Sequence, residues 1–203
     1  YFKIIKVKVG YMNLFDEIER MDNISALFDK DVQFRLDLNG VLDLTKAIRF
    51  CKEMERYNVD YIEQPLPASN LEDLAELRYH THIPIALDES LTNVKSAQKI
   101  IDFQAADIFI IKPMVSGGFF ESNKIINLAK SEKIRSVITT SLESSIGQYA
   151  CLHLAAAYDI SEACGLSTGK FLNEENISFP INDGVASILE KPGLGVELNI
   201  WLG

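Results

Sequence analysis

Short apolar runs alternate with amphipathic stretches along most of this chain. The apolar runs occupy residues 3–9, 33–37, 60–63, 84–88, 107–112, 135–140 and 162–165. Between them, apolar residues recur at helical spacing over residues 16–28, 42–57, 71–81, 93–103, 118–133 and 144–158. Strands and helices that alternate at this pitch indicate a parallel sheet whose strands are joined by crossover helices. The pattern therefore predicts an α/β fold, a TIM-like barrel.

Carboxylates end three successive predicted strands. Asp37, Glu63 and Asp88 each follow an apolar run, at intervals of 26 and 25 residues. Because neighbouring parallel strands lie about 5 Å apart and end at the same edge, these carboxylates would repel one another unless a cation neutralises them. An all-oxygen ligand set suits Mg²⁺ or Mn²⁺. Each acid alone could be a solvated loop residue, but the regular spacing favours a metal site.

Lysines end the first and fifth runs. Lys6 and Lys8 alternate with Val7, so a strand directs both to the same face. Lys112 follows the fifth run, 24 residues after Asp88. A lysine with an ordinary pKa of about 10.4 is a poor base at neutral pH, but neighbouring cations lower that pKa. The three lysines are candidate catalytic residues, although each alone could be an exposed or snorkelling surface lysine.

A hydroxyl-rich segment follows the sixth run and opens a helix. Residues 139–147 read Thr-Thr-Ser-Leu-Glu-Ser-Ser-Ile-Gly. Hydroxyls and free backbone N–H groups at a helix N-terminus form an anion site, so the candidate ligands of a substrate carboxylate are Ser141, Ser144 and Ser145. Helix capping by Ser144 or Ser141 is the alternative. Residues 116–118, Ser-Gly-Gly, are either a second backbone cradle or an ordinary turn.

The composition of the chain argues against some classes of binding partner. The chain has 203 residues, of which 47% are hydrophobic, and a net charge of -9, which gives no electrostatic reason to expect nucleic acid or an anionic membrane as partner. The longest apolar stretch, about residues 146–160, is too short and too polar to span a bilayer. The three cysteines, Cys51, Cys151 and Cys164, lack metal-type spacing and suit a reducing cytoplasm. We therefore expect a cytoplasmic protein that acts on a small-molecule carboxylate, and its oligomeric state, including a homo-oligomer, stays open.

The charged strand ends resemble the barrel motifs of the enolase superfamily. The matching segments are, in order, Lys6-Val7-Lys8, Asp37-Leu38-Asn39-Gly40, Tyr61-Ile62-Glu63-Gln64-Pro65-Leu66, Leu87-Asp88-Glu89-Ser90 and Ile111-Lys112-Pro113. Lysines on both sides of the site resemble the muconate-lactonizing subgroup. Within it, residues 140–147 and 165–169 resemble the o-succinylbenzoate synthases, dehydratases of menaquinone biosynthesis.

The resemblance implies a (β/α)7β barrel. Residues 1–172 would form strands 2 to 8 of this barrel, without its first strand and without the N-terminal capping domain of the family. Residues 173–203 would form a tail that packs back on the barrel or on the capping domain. The tail carries Pro180, Asp183-Gly184, Pro192-Gly193 and Gly195, which are typical of turns between short strands.

The resemblance also implies residue roles. Mg²⁺, bound to the substrate carboxylate, would be held by Asp37, Glu63 and Asp88. Lys8 would remove the proton α to that carboxylate and protonate a departing β-hydroxyl, with Lys6 and Lys112 supplying positive charge. Whether Lys112 is also an acid or base stays open.

Residues around the metal and the substrate complete the implied site. Asn39 is expected beside the metal and the substrate, and Glu89 just behind the metal ligands. The serines of residues 141–145 would hold the succinyl carboxylate.

Two other functions fit the same residues. Lysines facing each other suit 1,1-proton transfer, as in an N-acylamino acid racemase or a dipeptide epimerase. Residues 165–169 read Gly-Leu-Ser-Thr-Gly and lack the Asp-x-Asp of the dipeptide epimerases, which counts against that activity. A non-catalytic barrel that binds a small acid, or an inactive fragment, is the remaining alternative.

Overall fold

Six parallel strands form the centre of the molecule. The computed structural model describes residues 2–168 and 179–196. The strands, hydrogen-bonded in chain order, are β1 (Ile4–Lys8), β2 (Gln33–Asp37), β3 (Val59–Glu63), β4 (Ile85–Leu87), β5 (Ile108–Ile111) and β6 (Arg135–Ile138). Strands β1 to β5 agree with their predicted runs to within one residue at each end, whereas β6 ends two residues earlier than predicted. The curled parallel sheet confirms the predicted TIM-like α/β architecture.

Helices cover the outer face of this sheet. They are α1 (Leu14–Ser25), α2 (Leu44–Met54), α3 (Leu71–Tyr79), α4 (Val94–Asp102), α5 (Pro113–Ser116), α6 (Phe119–Ser131) and α7 (Ser145–Ala157). Three of them begin at a side chain that accepts a backbone N–H of the first turn, from Asn13, Asp43 and Asn93. The short helix α5 was not predicted, because four residues carry no readable helical period.

Strands β2 to β5 are buried on both faces, as the inner strands of all-parallel sheets are, whereas β1 at the edge is partly exposed. The outer face packs with the helices in one large core that includes Leu36, Ile62 and Phe109. The inner face holds a smaller cluster, made of Tyr61, Ala86, Ile108, Ile110 and Val137. The strands therefore read as continuous apolar runs, and polar side chains are left for their ends.

An ionic network fills the inner face near the amino ends of the strands. Arg35 donates from Nε to Asp60 Oδ2 at 2.8 Å and stacks over the Tyr61 ring, 4.6 Å from its centroid. Arg135 donates to Asp60 Oδ1 at 2.8 Å and to Glu162 Oε1 at 2.7 Å. Side chains from β2, β3, β6 and the segment after α7 are thus joined across the barrel interior.

The seventh predicted strand, residues 162–165, is reduced to one contact. Gly165 makes an isolated parallel bridge with Thr139, and no longer ladder forms there within the described part of the chain. The carbonyl oxygen of Ala163 accepts from Arg35 Nη1 at 2.5 Å. This hydrogen bond connects the segment to the ionic network.

The described part of the tail contacts the beginning and the end of the barrel. Phe179 packs edge-on against Tyr149 of α7, with ring centroids 5.4 Å apart. A two-stranded hairpin follows, with strands β7 (Ile181–Asn182) and β8 (Val185–Ala186). Its turn residue Gly184 lies against the ring of Phe2, which precedes β1. The predicted boundary between residues 172 and 173, and Gly169, lie outside the described residues.

Among the described residues, no helix is both long enough and apolar enough to cross a bilayer. The helix that contains most of the longest apolar stretch, α7, has 13 residues and packs against the barrel.

The ionic network gives a stability prediction. Asp60→Ala leaves the guanidinium of Arg35, whose side chain is 6% exposed, without its nearest carboxylate, and should lower the free energy of unfolding by about 3 kcal/mol. The matched control is Asp22→Ala, which breaks an exposed pair with Arg56 and should cost about 1 kcal/mol or less. Urea denaturation measures both, and equal losses would show that burial adds nothing to the Asp60 pairs.

Candidate active site

The structure brings the predicted charged residues to the carboxyl edge of the sheet. Read in strand order, lysines lie on β1, single carboxylates at the ends of β2, β3 and β4, and a lysine directly after β5. The residues are Lys6, Lys8, Asp37, Glu63, Asp88 and Lys112. Each carboxylate side chain is at most 7% exposed, whereas the lysines are more accessible. A row of buried acids is therefore flanked by amines at both ends.

Lys6 lies between two of the carboxylates. Its Nζ is 2.7 Å from each carboxylate oxygen of Glu63 and 2.8 Å from Asp37 Oδ2. Asp37 and Glu63 are aligned partners in the ladder between β2 and β3, so their side chains lie side by side. The ammonium group thus occupies the position where a cation shared by these two acids would be expected.

Lys8 contacts the outer end of the row. Its Nζ is 2.6 Å from Asp37 Oδ2 and 2.7 Å from Asn39 Oδ1. The amide of Asn39 also donates from Nδ2 to Glu89 Oε1 at 2.8 Å. Asn39 has a φ of 44°, in the left-handed region, which asparagine tolerates better than most residues. The predicted neighbours of the site, Asn39 and Glu89, therefore lie in one hydrogen-bonded chain with Lys8.

Lys112 closes the other end of the row. Its ammonium group forms an ion pair with Asp88, and its side chain is 27% exposed. Lys8 and Lys112 contact different carboxylates, on β2 and on β4. In strand order, the two lysines therefore lie on opposite sides of Glu63.

The pKa values of Glu63 and Asp37 are shifted in opposite directions because the surroundings of the two carboxyl groups differ. Burial raises the pKa of Glu63 to about 7, and the negative charges of Asp37 and Asp88 act in the same direction against the opposing charge of Lys6. Burial also acts to raise the pKa of Asp37, but Lys6 and Lys8 outweigh it, so this pKa is lowered. The pKa of Lys6 is raised, because the two carboxylates outweigh the effect of its burial.

The acids suit a hard divalent cation in type and placement. Within residues 2–168 and 179–196, no group of three His, Cys, Asp or Glu side chains is gathered closely enough to hold a metal, and lysines contact the carboxylate oxygens. Yet three buried carboxylates lie at the ends of consecutive strands, and burial, together with the charges of Asp37 and Asp88, raises the pKa of Glu63. An all-oxygen donor set of this kind fits Mg²⁺ or Mn²⁺.

Gln64 is a site residue that the sequence did not single out. It is fully buried with a φ of 39°. Its Oε1 accepts the backbone N–H groups of Asp88 and Ser90, each at 3.1 Å, and its Nε2 donates to Leu66 O at 2.9 Å. Gln64 therefore ties the end of β3 to the end of β4 and sets Glu63 and Asp88 beside each other. Its position directly after a strand-end acid was the available signal.

The hydroxyl-rich segment is organised by a buried acid. Ser144 is the N-cap residue of α7, without a side-chain capping bond, and Ser145 begins the helix. Glu143 is 7% exposed and accepts the backbone N–H of Ser141 at 3.0 Å, so this N–H is already engaged. Gly147 lies against the same carboxylate, where a Cβ would come within 2.4 Å of Glu143 Oε2. Glu143 was not predicted, because only the loop geometry turns it inward.

Fold and charged edge together define a TIM-type barrel domain with an enzyme-like site at its carboxyl edge. The family model for the Enolase C-terminal domain-like family matches residues 1–201, and the chain belongs to this family.

Relatives within the family carry different names. The o-succinylbenzoate synthase of Bacillus subtilis is 31% identical over 96% of this chain and 52% of its own length. The solved N-succinyl Arg/Lys racemase of Bacillus cereus is 27% identical, with a TM-score of 0.91 over 98% of this chain and 54% of that one. A solved dipeptide epimerase of Cytophaga hutchinsonii, complexed with Mg and a dipeptide, is 32% identical with a TM-score of 0.73 over 76% and 42%.

The comparisons define the family but not one reaction. The chain spans about half the length of the curated relatives it matches. Racemases, epimerases, synthases and a muconate cycloisomerase all match at 27% to 34% identity. The comparisons therefore assign the chain to the enolase superfamily without favouring one of these reactions.

Glu63 gives a pH prediction for the metal-free protein. Its folded pKa of about 7 lies above the ordinary 4.5, so the folded state holds this proton more firmly than the unfolded chain does. The resulting stabilisation is complete below about pH 4.5 and is lost as the pH rises through 7. Unfolding free energies in EDTA should decline across this window, by on the order of 3 kcal/mol.

Two variants test the assignment of this decline to Glu63. Glu63→Gln should remove the decline, whereas Glu19→Gln, on an exposed position of α1, should keep it. The lowered pKa of Asp37 acts below its ordinary 3.8 and therefore outside the window. A decline that persists in Glu63→Gln would assign it to another group.

Proposed function

We propose that the protein containing this chain is an o-succinylbenzoate synthase. The reaction is the Mg²⁺-dependent syn dehydration of 2-succinyl-6-hydroxy-2,4-cyclohexadiene-1-carboxylate to 2-succinylbenzoate in menaquinone biosynthesis. The observation that carries the proposal is the row of buried carboxylates with lysines at both ends, on consecutive strands of the barrel. Similarity to synthases over nearly the whole chain supports it.

The carboxylate row is the proposed metal site. Asp37, Glu63 and Asp88 would hold Mg²⁺ once Lys6, Lys8 and Lys112 move from their oxygens. When bound, the metal supplies positive charge that stabilises the negative charge developing on the substrate carboxylate. Conversely, displacement of the ammonium groups leaves the lysines free to face the substrate.

Lys8 is the proposed base. Its side chain is 57% exposed at the mouth of the site, and its Nζ is held by Asp37 and Asn39, so it is both accessible and directed. Neutral Lys8 takes the proton α to the carboxylate, and the electron pair of that C–H bond becomes delocalised into the carboxylate. Protonated Lys8 then gives its proton to the β-hydroxyl on the same face, water leaves, and the ring gains its third double bond.

The other lysines stabilise charge. Lys6 and Lys112 keep two ammonium groups next to the developing dianion, in a site where the fixed charges are already oriented. At the far end of the substrate, the N-terminus of α7 with Ser141, Ser144 and Ser145 is proposed to bind the succinyl carboxylate.

A second candidate is an N-succinylamino acid racemase. The close structural match to an N-succinyl Arg/Lys racemase favours it, and lysines on both sides of Glu63 suit removal of a proton from one face and return to the other. Both candidate substrates carry a succinyl group, so one anion-binding loop would serve either. A dipeptide epimerase is less favoured, because residues 165–168 read Gly-Leu-Ser-Thr, with no acid in the segment where an Asp-x-Asp is expected.

Lys8 is tested by substitution in the full-length protein. Lys8→Ala should abolish dehydration, a loss of at least about 10³-fold, because the variant lacks the proposed base on the face from which the proton and the hydroxyl leave. Mg²⁺ binding measured by calorimetry should persist, since Lys8 is not a proposed ligand. The control Lys46→Ala, on the exposed side of α2, should retain full activity. Retained turnover in Lys8→Ala would refute the role of Lys8 as base.

A pair of assays separates the candidate reactions. With Mg²⁺ and the cyclohexadiene precursor, the protein should form the aromatic product, followed by its ultraviolet absorbance. With N-succinylamino acids in D₂O, exchange of the α-proton should be slow or absent. Exchange without dehydration would favour the racemase, and Mg²⁺ binding without either reaction would favour a non-catalytic barrel.

A further inference from the structure

A buried acid lies beneath the loop that follows β1. Glu17 is on α1, and its side chain is 1% exposed. Its Oε1 accepts three consecutive backbone N–H groups, from Gly10 at 2.7 Å, Tyr11 at 3.1 Å and Met12 at 3.4 Å. The loop is thus wrapped around one carboxylate oxygen of its own chain.

Arg20 connects this acid to the main chain of Lys8. Its Nε and Nη2 donate to Glu17 Oε2 at 3.1 and 2.6 Å. The same Nη2 donates to the carbonyl oxygen of Lys8 at 2.6 Å. One guanidinium group therefore joins the buried carboxylate to the residue proposed as base.

The far side of the loop is held by packing. Gly10 has a φ of 92°, and a Cβ there would come within 2.5 Å of Leu38 Cδ2 and 2.8 Å of Val41 Cγ2. Val9 is fully buried and donates its N–H to Asp37 O at 2.9 Å. The main chain after Lys8 is therefore fixed between the end of β2 on one side and the Glu17 carboxylate on the other.

The loop also reaches the side chain of Lys8. The hydroxyl of Tyr11 donates to Asn39 Oδ1 at 3.3 Å, and the same oxygen accepts from Lys8 Nζ at 2.7 Å. The backbone N–H of Tyr11 is among the three that Glu17 holds. Glu17 and Arg20 thus connect to Lys8 at both its carbonyl oxygen and its ammonium group.

We propose that Glu17 and Arg20 are positioning residues for the catalytic base, which they orient through the Gly10–Met12 loop and the Lys8 carbonyl. The inference rests on the proposed role of Lys8. A buried carboxylate is costly unless its hydrogen bonds are satisfied, and here every bond it makes is directed at the segment that carries the base or at Arg20. Neither side chain contacts the reacting atoms.

The kinetic test uses Glu17→Gln and Arg20→Lys in the full-length protein with Mg²⁺. Both variants keep most of the side-chain volume. Glu17→Gln removes the negative charge of the carboxylate, and Arg20→Lys replaces the guanidinium group, which donates through several N–H groups, with a single ammonium group. Because a misplacement of about 1 Å can slow catalysis about 100-fold, kcat should fall roughly 10- to 100-fold. KM should change less than about threefold, because the substrate-binding residues are intact.

Matched controls lie on the same helix and its neighbour. Glu19→Gln and Arg49→Met change exposed residues of α1 and α2 and should leave kcat unchanged. All variants are compared well below their melting temperatures, so that loss of folded protein does not enter kcat. The positioning role would be overturned if kcat fell no further in Glu17→Gln and Arg20→Lys than in the controls, or if only KM rose.

Hydrogen exchange tests the same inference without turnover. In Glu17→Gln the amides of residues 10–12 should exchange at least about tenfold faster than in the unaltered protein, whereas Glu19→Gln should leave them unchanged. Unaltered protection in Glu17→Gln would refute the inference even if the protein proved to catalyse neither reaction. If instead the unaltered protein catalyses neither reaction but Glu17→Gln still exchanges these amides faster, only the proposed function is refuted. If Glu17→Gln fails to fold, Arg20→Lys, whose residue is partly exposed, provides both measurements.

Discussion

Buried carboxylates at neighbouring strand ends require positive charge beside them, and this requirement organises the carboxyl edge of the barrel. Asp37 and Glu63 are each 1% exposed and stay together because the ammonium group of Lys6 lies between them. Like charges this close repel one another, and this repulsion adds to burial in raising the pKa of Glu63. The same requirement draws Lys8 and Lys112 toward the site from its two sides, so charge balance assembles the residues that the proposed chemistry uses.

The spacing of charges along the chain was sufficient to predict the row, for a geometric reason. In a parallel barrel every strand ends at the same edge, so a residue that ends a strand is placed before any contact is known. That rule was sufficient to predict that Asp37, Glu63 and Asp88 lie at the same edge of the barrel. The run at residues 162–165 met the same sequence criteria but forms a single bridge, and the carbonyl of Ala163 within it accepts from Arg35. A contact between residues 128 positions apart has no signature in local periodicity.

Buried polar residues that hold the loops around the site in place were harder to predict. Gln64, Glu143 and Glu17 are all buried polar residues whose partners are mainly backbone N–H groups of loops. The hydrophobic pattern does not indicate such contacts, because it assigns every polar residue of a helix or loop to the solvent-exposed side. For Glu17 a weak signal existed: it precedes the buried Met21 by four residues and therefore shares the inner face of α1.

The two ends of the barrel balance their charges separately. At the amino end, Arg35, Arg135, Asp60 and Glu162 satisfy one another without any group from the site. Loops at the opposite end can therefore change in length and chemistry without disturbing the pairs that hold the strands together. Such independence makes the domain tolerant of evolutionary divergence, which agrees with the different activities named among its relatives: racemases, epimerases and synthases.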